Sequence, residues 1–288
     1  MALLHKYGIH GKLIQTMDGF SLWNLAEIRY FLKCLGNETN APVIPQELWD
    51  KSKKQTFQAY NTSKCLNEVK RCLEKFESLY RVKYYTDFRE FIFESSIEDF
   101  FDMSNTDIVV STIHKAKGRE FDDVYMLLSD VYTKDANLIR RYYVGMTRAK
   151  NRLFIHTNWD FFNRIPSDKY TIDSNEYSMP EQVTLQLTHK DLYLGYFKGE
   201  ERKKVILSLR SGDVLNYNDT FFYNSPNNIP IAKLSKSMQL SLEERYEKGY
   251  IVKSSSIRYI VAWKPKDAPK NESETAVVLI DMLLENSI

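Results

Sequence analysis

The chain has 288 residues, 43% of them hydrophobic, with 40 basic and 38 acidic side chains and a formal net charge of +2. That length can bury a sizeable core and form two domains, while the near-balance of charge excludes a protein that coats nucleic acid by bulk electrostatics, so any strand contact must be local. No apolar run reaches the ~18 residues of a membrane-spanning helix, and the opening residues are too short and polar for a secretion signal, which sets the expectation of a cytoplasmic protein without a membrane partner.

Three cysteines, Cys34, Cys65 and Cys72, form no CxxC pair and are odd in number. They argue against a zinc ribbon or a disulfide framework and read as small buried hydrophobes; no metal site is expected. Along the chain, residues 12–15 read as a short strand and Asp18-Gly19 as a turn. From Ser21, the apolar positions Leu22, Leu25, Ile28, Phe31, Leu32 and Leu35 recur at helical spacing, and Gly36 is a natural stop. Residues 37–55, rich in Pro, Asn, Lys and Glu, read as loop with a helical turn over 45–51. Cys65, Leu66, Val69, Cys72, Leu73, Phe76 and Leu79 form an amphipathic stripe with Thr62 or Ser63 as N-cap, followed by a helix from Thr86 through Phe88, Phe91 and Ile92 and a short one over 97–101. Residues 37–105 thus read as a compact helical insertion.

The stretch 107–158 carries the chemistry. Ile108-Val109-Val110, residues 124–128 and Leu153-Phe154-Ile155 have the composition of buried strands, and residues 136–149 read as a helix between them. This alternation predicts an α/β sheet with functional loops at strand ends. One such loop, Thr112-Ile113-His114-Lys115-Ala116-Lys117-Gly118-Arg119-Glu120-Phe121, puts hydroxyl, imidazole, ammonium, glycine and carboxylate together, a composition that grips phosphates. The other, Tyr143-Val144-Gly145-Met146-Thr147-Arg148-Ala149-Lys150, places an arginine at the end of the helix, where a planar, permanently charged guanidinium meets a phosphate with two donors.

At these residues the sequence resembles the UvrD/Rep-type superfamily-one DNA helicases. Thr112-x-His114-x-x-Lys117-Gly118-x-Glu120-Phe121 is similar to their motif V, and Tyr143-Val144-Gly145-x-Thr147-Arg148-Ala149-Lys150 to their motif VI. The resemblance implies that Arg148 is an arginine finger for the γ-phosphate of ATP and that Glu120 serves the nucleotide's sugar. It places Thr112 and His114 on the backbone of single-stranded DNA. Lys117 and Gly118 shape the loop between the two functions, Lys117 toward DNA and Gly118 toward nucleotide. Two departures stand out: Arg119 replaces the usual leucine, either as a phosphate contact or as a solvent-facing side chain, and Asn137 and Leu138 stand where acidic residues usually precede Arg140 and Arg141. Residues 8–35 also resemble the stretch before the insertion in the second motor domain of these helicases, or else form a generic amphipathic helix.

No GxxxxGK[ST] loop and no acidic magnesium box occur in the sequence. ATP and magnesium would therefore be held mainly by an N-terminal motor domain of the same polypeptide, this chain being the C-terminal part and inactive as an ATPase by itself. Beyond residue 158 the character changes. Residues 161–180 read as a linker, and strands are expected over 183–187, 204–209, 214–217, 229–234, 251–263 and 276–280, with a helix over 235–248 capped by Ser235 and stopped by Gly249. Tyr250, Tyr259 and Trp263 read as core aromatics, and Arg202-Lys203-Lys204 and residues 264–270 as solvated basic faces.

The fold class expected is α/β: a partial RecA-like second motor domain over 1–160 with its insertion, then a small β-rich, barrel-like domain over 181–288. The function expected is the C-terminal motor half of an ATP-dependent DNA helicase or translocase. The rival is a non-catalytic scaffold derived from a helicase, binding nucleic acid or protein.

Overall fold

The computed structural model describes the chain apart from residues 1–3, 5–6, 15–16, 18, 37–41, 105, 117, 129–134, 159–161, 163–164, 170, 177, 194–199, 226, 265–273 and 288. Asp18, Lys117 and most of the 264–270 basic run lie outside the described residues. The chain forms a mixed helix-and-sheet fold in two compact units, one of Met1–Gln15 with Met103–Ser178 and one of Thr16–Asp102 with Met179–Ile288. Packing thus groups the helical segment with the β-rich segment, a division other than the one expected from sequence at residues 160 and 181.

In the first unit, β1 (Gly11–Leu13) pairs in parallel with β2 (Ile108–Val110), and β3 (Phe121–Leu128) pairs in parallel with β4 (Ala149–Thr157). The helix between β3 and β4 runs Ala136–Met146, shorter than its apolar pattern suggests, because Ala149 already belongs to β4. Alternation along β3 follows the two-residue repeat of a strand: Met126 and Leu128 are buried beside Ile113, Tyr142 and Met146, while Tyr125 and Leu127 are 63% and 81% exposed.

In the second unit, α1 (Ala26–Leu35) buries Ile28, Phe31 and Leu35 and ends at Gly36, whose φ of 76° lies in the left-handed region open to glycine. Next come α2 (Gln46–Ala59), α3 (Leu66–Leu79) and α4 (Tyr85–Glu94), then a 3₁₀ turn over Ile97–Phe100. α2 replaces the expected loop with one helical turn. Its buried face is Trp49, Ser52 and Thr56, so two of the three inward positions are polar and the apolar period is hidden. Thr56 Oγ1 donates back to Ser52 O at 2.8 Å, which satisfies that hydroxyl inside the helix. Neither Thr62 nor Ser63 caps α3; Cys65 does, and Ser63 Oγ donates instead to Glu27 Oε1 at 2.7 Å.

The sheet of this unit runs β5 (Gln182–Gln186), β10 (Thr275–Asn286), β9 (Tyr250–Trp263), β6 (Val214–Asn218), β7 (Phe221–Asn224), β8 (Pro230–Lys233), every pairing antiparallel. Ser235 caps the helix Lys236–Glu247, as expected. The expected strand over 204–209 is instead part of a helix, Glu200–Ser208. Ile206 and Leu209 are buried three residues apart while Leu207 is 43% exposed, a helical burial pattern, and the preceding Arg202, Lys203 and Lys204 are good helix formers. Here tertiary packing overrides the β-propensity of Val205-Ile206. Tyr250 and Tyr259 are buried in the core, and Trp263 is partly buried against it. For the helices the labels below are α5 (Ala136–Met146), α6 (Glu200–Ser208) and α7 (Lys236–Glu247).

One core runs from the helices into the sheet of this unit. Leu25 bridges to Val261 of β9, and Asn24 Nδ2 donates to Ala262 O at 3.0 Å. Cys65 and Cys72 are buried there, and burial pushes the Cys72 thiol up to about 12, which keeps it neutral; Cys34 is half-buried. Glu27 is the polar exception: it is 2% exposed, accepts from Ser63 and Cys65 through Oε1, and its Oε2 has no partner among the described residues.

Burial lifts the Glu27 carboxyl above its ordinary 4.5, since the charged form loses its water. The folded state therefore holds this proton more tightly than the unfolded chain. The associated stability is complete below the unfolded-state value and is lost as pH rises through the folded one. Glu27→Gln removes the titration, so the variant's melting temperature should gain on the wild type as pH rises from 4.5 to 7.5. Thermal melts followed by circular dichroism at a series of pH values check this; a constant difference would show that Glu27 is solvated like a surface carboxylate.

Candidate functional site

The first loop begins where β2 ends. The β1–β2 pair is extended by Ile14 N donating to Val110 O at 2.9 Å, so the chain leaves β2 in a fixed direction at Ser111. There Thr112 O accepts from Lys115 N at 3.1 Å and Ala116 N at 3.2 Å, and Ser111 Oγ donates to the same oxygen at 2.7 Å. This turn leaves the side chains of Thr112 and His114 exposed. Gly118 follows with φ of 81°, and Arg119 N donates to Ala116 O at 3.1 Å to bring the chain into β3.

The second loop closes α5. Asp135 caps the helix start, its Oδ1 accepting from Asn137 N at 2.8 Å and Leu138 N at 3.3 Å. At the other end Thr147 Oγ1 donates to Val144 O at 3.0 Å and Arg148 N to Gly145 O at 3.1 Å. The half-buried Arg148 side chain turns back on this end: Nε donates to Val144 O at 2.9 Å and Nη2 to Thr147 Oγ1 at 3.3 Å. A cation beside unpaired terminal carbonyls is favoured by the helix dipole.

The two loops meet at Arg148. Its Nη1 donates to Arg119 O at 3.3 Å, and its carbonyl accepts from Phe121 N at 2.9 Å. Gly145 completes the junction by close approach, since a Cβ there would lie 2.9 Å from Met126 Cε on β3 and 3.4 Å from Ile113 Cδ1 in the first loop. Glu120 lies 3.8 Å from Lys150 Nζ, both side chains more than half exposed, a pair that contributes little by itself. Thr112 and His114 make no hydrogen bond or ion pair to Arg148 among the described residues.

Nothing in the linear pattern points to the pair formed by Asp123 and Arg152. Arg152 Nε donates to Asp123 Oδ1 at 2.8 Å and its Nη2 meets Oδ2, fixing β3 against β4 at the base of the loops. Hydrogen bonding from Arg152 holds the Asp123 carboxyl below its ordinary range. The contact depends on the parallel register that sets Asp123 opposite Arg152, which a linear pattern does not display.

Two loops are thus tied to one guanidinium at the start of adjacent parallel strands. Residues 38–159 match the family described as the UvrD-like helicase C-terminal domain. The match spans 122 of the 288 residues. The match covers both loops and the helical segment from α2 onward, while α1 and the six-stranded sheet lie outside it. No curated protein and no solved structure matches the chain. No helix among the described residues is long and apolar enough to cross a membrane, and none of their His, Cys, Asp and Glu side chains group to hold a metal ion. Arg148 carries a planar guanidinium from which a phosphate oxygen could accept, and the described residues offer no acidic cradle for magnesium.

Proposed function

We propose that this chain is the C-terminal motor half of an ATP-dependent DNA helicase or translocase, with a RecA-like second motor domain that acts on a nucleotide held by another domain. Arg148 is the arginine finger, Glu120 and Gly118 line the nucleotide side of the loop, and Thr112, His114 and Lys117 hold the backbone of single-stranded DNA. ATP, bound with magnesium mainly by an N-terminal motor domain of the same polypeptide, supplies the phosphoryl group that transfers. The observation that carries this reading is the junction at Arg148, where one side chain bonds to both loops. A strand gripped by Thr112 and His114 moves the 112–120 turn, and that turn ends on the carbonyl to which Arg148 donates. DNA engagement and finger position are thereby linked through the bonds of Arg148 to Arg119 O and Phe121 N.

The scaffold reading retains one specific support. All three nitrogen groups of Arg148 already have partners in the chain, as they would in a purely structural clamp. A finger must exchange those bonds for phosphate oxygens, which a loop movement at Arg119 would allow.

The test is the rate of ATP hydrolysis against single-stranded DNA concentration in the complete motor, for wild type and for Thr112→Val with His114→Ala. Loss of a hydroxyl and an imidazole donor should raise the half-saturating DNA concentration by about thirtyfold, two hydrogen bonds at roughly 1 kcal/mol each. Hydrolysis without DNA should persist. An unchanged half-saturating concentration together with unchanged maximal stimulation would remove these residues from the strand path.

A further inference from the structure

We infer that the ion pair between Asp123 and Arg152 positions Arg148 for the transferring phosphate, by tying down the strand start from which that arginine projects. The inference rests on the reading of Arg148 as the finger and adds two residues that lie outside both loops, each two positions past a loop's end: Asp123 beyond Phe121 and Arg152 beyond Lys150. Neither has a hydrogen bond or ion pair to Arg148 among the described residues, so their part is to hold the junction and not to act on the nucleotide.

The backbone of Arg148 is the first rung between β3 and β4. Its carbonyl accepts from Phe121 N at 2.9 Å, and Phe121 stands opposite Ala149. The next pair in register is Asp123 with Arg152, so one residue, Asp122, spans on β3 what two, Lys150 and Asn151, span on β4. An extra residue of this kind interrupts the ladder, bends the strand that carries it and re-aims the side chains beside it. It also decides which side chain meets Asp123. Side chains alternate between the faces of a strand, so without the extra residue Asn151 would stand opposite Asp123 and Arg152 would point to the other face. The insertion that loosens the ladder just past Arg148 is thus the one that brings Arg152 to Asp123.

The geometry of the pair suits that task. Both arms of the Arg152 fork are engaged: Nε donates to Asp123 Oδ1 at 2.8 Å and Nη2 to Oδ2. A two-bond fork fixes the angle between its partners as well as their separation, which a point charge does not. Arg152 is 68% exposed, a setting in which most ion pairs contribute little. Here, however, the guanidinium also lies 5.8 Å from the centre of the Phe154 ring, and Phe154 stacks on Tyr125 at 4.4 Å with the planes 8° apart. Asp123, Tyr125, Arg152 and Phe154 thus form one packed group across the two strands, on the face away from Met126. The nearer pair, Glu120 with Lys150 at 3.8 Å, is a single long contact between exposed side chains and is no substitute for the fork.

Arg152→Gln, at an exposed position, keeps a polar side chain and removes the fork. In the 288-residue chain, amide hydrogen exchange followed by NMR should show the Phe121 N–H exchanging at least about tenfold faster, while the Met126 and Leu128 N–H groups deeper in β3 keep their rates. In the complete motor with saturating single-stranded DNA, ATP turnover should fall about tenfold with the KM for ATP within about twofold. A misplacement of ~1 Å at a catalytic group costs up to ~10²-fold in rate, and ground-state binding does not depend on it. Asp123→Asn should do the same, and Asp123→Asn with Arg152→Gln should be no worse than either alone, because each removes the same tie. Lys253→Gln, which breaks the exposed pair of Lys253 on β9 with Glu285 on β10, is the control and should leave both measurements unchanged. Circular dichroism confirms folding.

Wild-type turnover in Arg152→Gln beside an inactive Arg148→Ala overturns the inference and leaves the proposed function standing. Wild-type turnover in Arg148→Ala overturns the finger, and this use of the pair goes with it. A Phe121 N–H that exchanges as in the wild type overturns the inference, since the pair then does not hold the Arg148 carbonyl, and so do losses in the single variants that multiply in the double. A KM that rises as far as turnover falls also overturns it, because the nucleotide site as a whole is then disturbed. Turnover lost at unchanged KM, with Phe121 released and no further loss in the double variant, is the result expected.

Discussion

Replacing Arg148 by alanine in the complete motor is expected to lower ATP turnover by at least about 10²-fold while changing nucleotide affinity only a few-fold, because a finger acts on charge that develops in the transition state. Arg148→Lys should recover little of this, since a point charge lacks the planar fork that reaches two oxygens at once. The variant also loses its bonds to Val144 O and Arg119 O. These should cost about 1–2 kcal/mol of stability in the first unit, small enough for the fold to survive. The measurement is steady-state hydrolysis with saturating single-stranded DNA, beside nucleotide binding by calorimetry. Parallel losses in binding and turnover would mark Arg148 as a ground-state contact, and a loss of stability with normal turnover would mark it as the clamp of the scaffold reading.

The second large effect lies in the core of the helix–sheet unit. Trp49 is fully buried, meets Phe31 and Phe88 edge-on at 4.9 and 5.0 Å, and packs on Phe76 at 5.5 Å. Its Nε1 donates to Glu77 Oε1 at 2.5 Å, and Lys53 Nζ holds the same carboxylate at 3.0 Å. Trp49→Ala removes the central ring of this cluster and leaves Glu77 short of a donor. The expected loss is about 3–5 kcal/mol, a large part of the ~5–15 kcal/mol by which a domain is stable. Urea denaturation by circular dichroism measures it. Because Phe31, Phe76 and Val261 belong to one continuous core, helix and sheet signals should shift together. A loss below about 1 kcal/mol would show that the site collapses around the missing ring and that this cluster does not anchor the unit.

What could be read from the sequence follows from how far apart the interacting residues lie. The strand at 108–110, the cap at Ser235 and the stop at Gly36 depend on neighbours within one element, and each appears where the pattern puts it; the runs read as buried strands, however, leave Ile108, Val110, Tyr125, Leu127 and Leu153 exposed, because each of these short two-stranded pairs covers one face only in part. The two loops stand out in sequence by residue order alone, and Arg148 bonds to both of them in the structure. α2 was hidden because Ser52 and Thr56 occupy its inner face, and α6 because a β-branched run sits in a helix whose burial is decided elsewhere in the fold. The shared core of helices and sheet was out of reach for a different reason. Leu25 and Val261, or Asn24 and Ala262, lie more than two hundred residues apart, and no local period encodes their pairing.

The assignment of Arg148 as a finger rests on charge that exists only in the transition state, and one comparison isolates it. In the complete motor with single-stranded DNA present, affinity is measured for ADP with aluminium fluoride, a mimic of the transferring phosphoryl group, and for a non-hydrolysable ATP analogue. Arg148→Ala should weaken the first by at least about 10²-fold and the second only a few-fold. Equal weakening of the two, or none in either, would contradict the finger and leave Arg148 as a bond between two loops.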